Sequence, residues 1–479
     1  MSQPQHLKPD LNLTSLFFLS FGTIIGVGWI TVMGDWLADA GPIGAVIAFV
    51  AGASVVILIS LCYAEIGAMY PVSGGEVAYV YRLYGSPLAF LCGWLLSLHY
   101  IALLGFEAIS VGWVLSAMFP GLEGPVVYSI LGSDVRLYSL LIGIAVMVAL
   151  AIVQYASVRS VGRLQSALTI SLLIASAAFV LAGIGFGDPA NLEPHIAQDD
   201  SGSFQISGVA FLFATTFFWF AGFDVIPQAM GEKSESARLD RMQWVMISSI
   251  SLALLFYVAV ILATAMAAPR NVILATELPV AGAFQAAFGT PWLKNLVLAA
   301  GLMGILSTWN ACFLAGTRLL YSLGRAHFIP AYFSDVNSRH ATPTKAILFA
   351  GVIGGMLAFF GRDAIGVIVN VSAISLSFVF LLVTFGVARL RKTAPDFQRP
   401  YKVPFGVLIP YLAAAGSALI LAIAIWSLSD FSDGVPLEWF MLGSWLAIGA
   451  LFWVLSAKMR KSVEEAERTE LILGTNGDV

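Results

Sequence analysis

Charge is what this chain has least of. Asp, Glu, Lys and Arg make up 11% of its 479 residues, against roughly 25% in an ordinary soluble domain. So few ionic groups cannot cover a surface wetted on all sides, which excludes a soluble globular protein. The net charge of −4 leaves no basic footprint for nucleic acid. Cysteine is nearly absent too. Cys62, Cys92 and Cys312 fall inside apolar runs, without metal-ligand spacing or partners in polar loops, so they read as core residues rather than disulfides or a metal site. No HExxH, GxSxG or P-loop occurs, so the sequence points away from an enzyme and calls for no cofactor. The opening MSQPQHLKPDLN lacks a basic n-region and a cleavage site, so the first apolar segment is expected to be kept.

What fills the space is apolar residue, 59% of the chain. Apolar runs separated by polar turns predict an all-α polytopic membrane protein with twelve spans. They fall at 13–38, 42–68, 87–117, 137–156, 161–184, 206–230, 242–267, 292–323, 344–360, 364–388, 408–429 and 436–457. With the N-terminus in the cytoplasm, 20 of the 24 Lys and Arg fall on the cytoplasmic side; only Arg136, Arg270, Lys294 and Arg362 lie outside. The positive-inside rule therefore predicts a multi-pass protein of the cytoplasmic membrane with both termini inside. Residues 1–12 and 458–479 become cytoplasmic tails, the second charged and solvated. Leu278–Gly289 is too short to cross and reads as an outer amphipathic or re-entrant helix.

Two spans are written to break. Phe21–Ile30, FGTIIGVGWI, holds Gly22, Gly26 and Gly28, although glycine inside a helix costs about 1 kcal/mol relative to alanine. In the sixth span Phe217-Phe218-Trp219-Phe220 is followed by Gly222, Asp224 and Pro227. Lipid cannot rescue freed backbone groups, so interrupted helices occur at membrane depth only where they line a cavity or are buried in protein. Close helix packing is the competing explanation for the glycines, and a kinked helix with a satisfied buried acid is that for Asp224. Spans one and six occupy corresponding places in two halves, 13–184 and 206–388, each of five spans and therefore inverted relative to one another. The pair 408–457 completes the chain. N–H groups at Ile25, Gly26, Val27 and Gly28 would suit a carboxylate. Carbonyls of Phe217, Phe218 and Phe220 would suit an ammonium, with the aromatic rings over an apolar side chain or closing a gate.

With those residues in view, the chain resembles the amino acid–polyamine–organocation superfamily of secondary transporters. GTIIGVG (Gly22–Gly28) is similar to its G-x-I-I-G-x-G. CYAEIGAMYPVSGGEVAYVYRLYG (Cys62–Gly85) resembles its Y-A-E-L…P-x-S-G-G…Y…Y…G segment. Gly222-Phe223-Asp224 is similar to G-F-[DE], and Ser307-Thr308-Trp309-Asn310-Ala311 with Arg318 and Tyr321 to S-T-x-N-A…R…Y. The resemblance implies a five-plus-five inverted repeat and alternating-access transport of an amino acid or amine. It implies substrate-carboxylate contacts at Ile25–Gly28, a gate at Phe218, and a proton-sensing position at Asp224. Val27, where many members have Ser, and Trp29, in place of Ile, depart from the pattern. Trp219 is bulkier than usual and competes with Phe218 as the gate. No lysine follows Arg163 in the fifth span, where some relatives place an ammonium between helices 1, 5 and 8; the alignment puts Leu172 there.

Three couplings stay open on these residues: a cation such as Na+ held by Ser307, Thr308 and helix 1 carbonyls, protons carried by acids, or uncoupled exchange. Desolvation beside the aromatic cluster favours the neutral form of Asp224, and free helix N–H groups would favour the charged one. Glu107 and Tyr100 share a face of span three, where Glu107 could bind an amine, relay a proton or simply be satisfied by neighbouring helices. Glu65 reads as structural, and His99 and Asp35 as near water. The residues favour a neutral α-amino acid with proton symport, over an amine or polyamine, an exchanger, or a transporter-like sensor.

Overall fold

The computed structural model describes residues 11–199, 202–235, 237–432 and 434–474. Most of the expected tail 1–12, including Lys8, lies outside them. The first apolar run is three short helices: α1 (Leu13–Ile24), α2 (Gly28–Thr31) and α3 (Met33–Asp39). Asn12 begins α1 by accepting the Ser15 N–H at 2.8 Å, the N-cap use of a short polar side chain. Gly41, at φ +74°, turns the chain so that Pro42 opens α4 (Pro42–Met69). The left-handed Gly74 starts α5 (Gly75–Tyr84), and Gly85 hands over to α6 (Ser86–Met118).

A hairpin of β1 (Val126–Ile130) and β2 (Ser133–Arg136) follows. It adds a small β element, with the β-branched and aromatic run VVYSI as its first strand, to a chain that is otherwise nearly all helical. Next come α7 (Leu137–Ala156) and α8 (Val158–Phe186), separated where the Ser157 hydroxyl caps Ser160 N. The second half holds α9 (Ile206–Trp219), α10 (Val225–Ala229), α11 (Met242–Ala267), α12 (Arg270–Leu274), α13 (Pro279–Phe288) and α14 (Pro291–Arg325). It continues with α15 (Thr344–Leu357) and α16 (Ala364–Thr393), then α17 (Leu408–Ser427), α18 (Leu437–Leu455), α19 (Ala457–Ser462) and α20 (Glu465–Leu473).

Among the described residues, ten helical segments are long and apolar enough to cross a membrane. Two shorter apolar helices, Ile206–Trp219 and Thr344–Phe360, occupy the sixth and ninth expected spans. The chain is a polytopic helical membrane protein. Its centre is the pair α6 and α14, which are buried along most of their length, whereas α18 is largely exposed. Lipid gives helices no hydrophobic reason to associate, so close approach at small residues and interhelical polar bonds hold them together. Gly143, for example, leaves a Cβ only 3.1 Å from the Ala108 backbone carbon. The tail is not freely solvated: Ile472 and Leu473 are buried, and Tyr81 of α5 meets Thr469 at 3.2 Å.

Candidate substrate site at two helix breaks

Helix α1 stops at Ile24 and α2 resumes at Gly28. Ile25 N–H is still given to Phe21 O (3.2 Å), so Ile25 brings no free donor and the donor expected there is corrected. Among the described residues no acceptor is recorded for the N–H groups of Gly26, Val27 or Gly28. From Phe21 to Thr31, Gly26 is the one residue that is not buried, so a small space opens there inside the protein. Its walls are defined by what a side chain at Gly26 would meet: Thr308 Oγ1 at 3.0 Å and Glu107 Oε1 at 3.2 Å. Gly28 faces the Trp219 ring, whose Cε3–Cζ3 edge leaves a Cβ no room (2.9 Å to Cε3).

The second break runs from Phe220 to Asp224, between α9 and α10. Gly222 adopts φ +146°, a backbone conformation closed to residues with a Cβ. Asp224 is fully buried and closes this break on itself. Its Oδ1 accepts the Gly222 N–H at 2.6 Å, and its Oδ2 accepts the Tyr100 hydroxyl at 2.6 Å. The Phe218 carbonyl is taken by Ala221 N–H (3.2 Å), whereas no donor is recorded for those of Phe217 and Phe220 among the described residues. The rings diverge: Phe217 packs on Phe380, Phe220 on Phe49 and Tyr257, and Phe218 on Phe106, His99 and Trp219. Trp219 is fixed by its Nε1–H to Thr215 Oγ1 (3.0 Å) and an edge contact with Trp36.

The two breaks adjoin. A Cβ at Gly222 would lie 2.8 Å from both Ser20 O and Ile24 N. The Tyr257 hydroxyl of α11 lies 2.7 Å from Ile24 O and 3.0 Å from Trp219 O; its single proton serves one at a time. Sequence reading missed Tyr257, which sits in an unremarkable apolar span.

Helix α6 supplies three polar groups to this region. The Tyr100 hydroxyl is committed to Asp224. Glu107 is buried with Oε2 unpartnered. His99, expected near water, is fully buried with both ring nitrogens unpartnered. It lies thirteen to fourteen residues into the 33-residue helix, three turns and more from its start, which is deep enough for neighbouring helices to cover it.

Ser307 and Thr308 of α14 are tied to α1: Ser307 Oγ donates to Gly22 O (2.8 Å), and Thr308 Oγ1 lies within reach of Gly22 O (3.2 Å) and Thr23 O (3.0 Å). Gln165 of α8 completes the corner that sequence reading assigned to Leu172. Its Nε2 donates to Ser307 Oγ (2.7 Å) and its Oε1 accepts Asn310 Nδ2 (2.9 Å), with Thr169 Oγ1 3.2 Å from Ser307 Oγ. Polar residues at helical spacing Gln165, Thr169 were the available signal.

Around the site, Glu65 is bound by Arg391, Arg399 (3.1 Å) and Val403 N (2.8 Å), and Arg318 pairs with Glu232 (2.8 Å) with both side chains fully buried. Such pairs are latches more than sources of stability. At the other end, a cavity of about 730 Å³ reaches Thr31 and is lined by five carboxylates, exposed Asp35 among them, and two arginines. Its rim carries Arg362 bound to Glu277 (2.7 Å) and stacked over Trp113 (4.4 Å).

Comparison with known proteins agrees with this architecture. The family described as amino acid permease matches residues 11–452. A branched-chain amino acid permease of Bacillus subtilis is 27% identical over 97% of this chain and 96% of its own length. A methylthioribose transporter of the same species is 24% identical over 95% of each chain. An aspartate-proton symporter, also from that species, is 24% identical over 92% of this chain and 84% of its own. The chain therefore belongs to the amino acid permease family, within the amino acid–polyamine–organocation superfamily, and is a transporter rather than an enzyme.

Proposed function

We propose that this permease moves a neutral α-amino acid across the cytoplasmic membrane by alternating access, in symport with protons. The observation that carries the reading is the first break: unpaired N–H groups of Gly26, Val27 and Gly28 beside the one accessible residue of that stretch. A helix start with free donors suits a carboxylate. The carbonyls of Phe217 and Phe220 suit the ammonium, and Phe218 and Trp219 form the gate over the side chain. A branched aliphatic side chain fits so apolar a wall, in keeping with the branched-chain permease among the relatives. Asp224 and Glu107 are the proton carriers. Gln165 fills the corner where a cation would sit against Ser307 and Thr308, which disfavours Na+.

The topology that goes with this reading has twelve spans, both termini cytoplasmic, and inverted halves 13–184 and 206–388 that rock about the two breaks. One observation favours an amine or polyamine instead: Glu107 presents a buried, unpartnered carboxyl oxygen beside Gly26. A thermal-shift screen against amino acids, amines and polyamines separates the two, because a ligand raises apparent stability by mass action. Leucine, isoleucine or valine should raise the melting temperature and be taken up by proteoliposomes. A response to putrescine with none to any amino acid overturns the first reading; binding without flux makes the protein a sensor.

A further inference from the structure

Glu76 carries no role in the reading above. It lies in the first turn of α5, outside the long spans, yet is fully buried. Its Oε2 accepts a hydrogen bond from Gln228 Nε2 of α10. Gln228 stands one helical turn beyond Asp224, so the second break and Glu76 are joined through a single short helix. Two oxygens of this pair have no partner: Glu76 Oε1 and Gln228 Oε1. Both are acceptors when Glu76 is ionised, and buried acceptors are costly to leave unmet; the Nε2–Oε2 bond already holds the amide and the carboxyl side by side.

One proton resolves both. A carboxylic acid and a primary amide form a closed ring of two hydrogen bonds: amide N–H to carboxyl C=O, and carboxyl O–H to amide C=O. The first of these bonds is already in place. A proton on Glu76 Oε1, donated to Gln228 Oε1, supplies the second.

Among the described residues no cation is recorded in contact with Glu76 in its stead. Helix α4 contributes the Tyr63 hydroxyl, which with a backbone N–H and Gln228 favours the charged carboxylate against its burial, and α5 contributes its own buried Tyr79. Helix α6 contributes Cys92 and Tyr100, and the second break contributes Asp224. Arg318 of α14 is held by Glu232, Arg391 of α16 by Glu65, and Arg82 of α5 by the Tyr70 hydroxyl. Arg389 and Lys392 of α16 and the acids of α20 (Glu465, Glu467, Glu470) are exposed, and Arg468 of α20 faces backbone carbonyls. Burial, with Asp224 nearby, pushes the Glu76 carboxyl well above the usual carboxylate range.

We infer that Glu76, clasped by Gln228, is a proton-binding site on the far side of Asp224 from the substrate breaks. In the closed conformation it holds an O–H bond at Oε1. When α5 and α10 part, that bond breaks, the electron pair stays on the carboxylate and the proton passes to water. The site is thus the release station of the proton path, which rests on the proton-symport reading; its occupancy by a proton does not.

The test uses the full-length protein in lipid and two readouts. Infrared spectra against pH, with H2O/D2O exchange, should show a buried carboxylic-acid C=O band that Glu76→Gln removes and Gln228→Leu shifts. Glu76→Gln replaces the acid by its isostere, so folding is preserved. In proteoliposomes with leucine as probe, Glu76→Gln should lose stimulation by an inward proton gradient while retaining equilibrium exchange. A carboxylic-acid band unchanged in Glu76→Gln overturns the proton site, whatever transport does. Loss of the band with an unaltered response to the gradient overturns the release role. Failure of the wild type to transport leucine, with the band present and lost in the variant, counts against the transport reading alone and supports the site.

Discussion

The two breaks solve the same problem in opposite ways. Both free backbone groups deep inside a membrane protein, where each unmet group is costly. The second satisfies itself: Asp224 takes the Gly222 N–H and the Tyr100 hydroxyl, and a left-handed glycine makes the turn. At the first, no acceptor is recorded among the described residues for the N–H groups of Gly26, Val27 and Gly28. On the proposed reading, these are the donors that take the substrate carboxylate. The same reading divides labour between the breaks, with recognition proposed at the first and conformational control at the second.

Glycine substitutions should separate those roles most sharply. Gly222→Ala puts a Cβ 2.8 Å from backbone atoms of Ser20 and Ile24 at a φ of +146°. Strain and overpacking of about 1–3 kcal/mol each follow, so folded protein and uptake should both be lost, measured as monodisperse yield and flux. Gly26→Val should abolish uptake and the leucine thermal shift while yield and melting temperature stay near wild type. Its neighbours at 3.0–3.2 Å are side-chain ends of Thr308 and Glu107 that can give way. Gly26→Val protein that transports with unchanged affinity would reduce the first break to a packing device.

Asp224→Asn keeps the bond that closes the second break, because the amide oxygen still accepts from Gly222, and reverses the other, because the amide nitrogen can only donate to the Tyr100 hydroxyl that the carboxylate accepted from. Under proton symport, wild-type uptake rises as the outside pH falls; the variant should show a flat profile with leucine binding still measurable. Sodium-dependent, pH-independent flux surviving in Asp224→Asn would move coupling to the corner of Ser307, Thr308 and Gln165.

Both breaks were legible in the sequence because glycine and proline advertise backbone that is not helical, and Asp224 and Glu107 because acids are rare in apolar runs. What could not be read is which neighbour each group meets. Periodicity puts Tyr100 and Glu107 on one helix face but does not choose the partner across from it, which for the Tyr100 hydroxyl is Asp224. Gln165 passed unnoticed because amides are unexceptional in helices, although here it takes the corner assigned to Leu172. Glu76 was hidden differently. Its segment reads as a polar connection between spans, and only the folding of α5 back into the bundle buries it. The docking of Ile472 and Leu473 was obscured likewise by the charges around them.

The smallest effect expected comes from the group that joins the breaks. Tyr257 donates to Ile24 O or Trp219 O, the last carbonyls before each interruption, and no other donor to them is recorded among the described residues. Tyr257→Phe keeps the ring contacts with Phe49, Phe220 and Phe256 and removes only the hydroxyl. Interhelical hydrogen bonds in membrane proteins contribute about 0.6 kcal/mol on average and about 1.7 kcal/mol at most, because the alternative partners in lipid-embedded chains are not wholly lost. The melting temperature should therefore fall slightly, with half-saturation for leucine unchanged, since neither carbonyl belongs to the set assigned to the ammonium. The rate of uptake is the telling quantity. If the shared hydroxyl lets the breaks move as one unit, turnover should drop by more than the stability loss accounts for, measured as flux per folded transporter. A loss of uptake as complete as in Gly26→Val would instead place Tyr257 within the recognition site and erase the division between the two breaks.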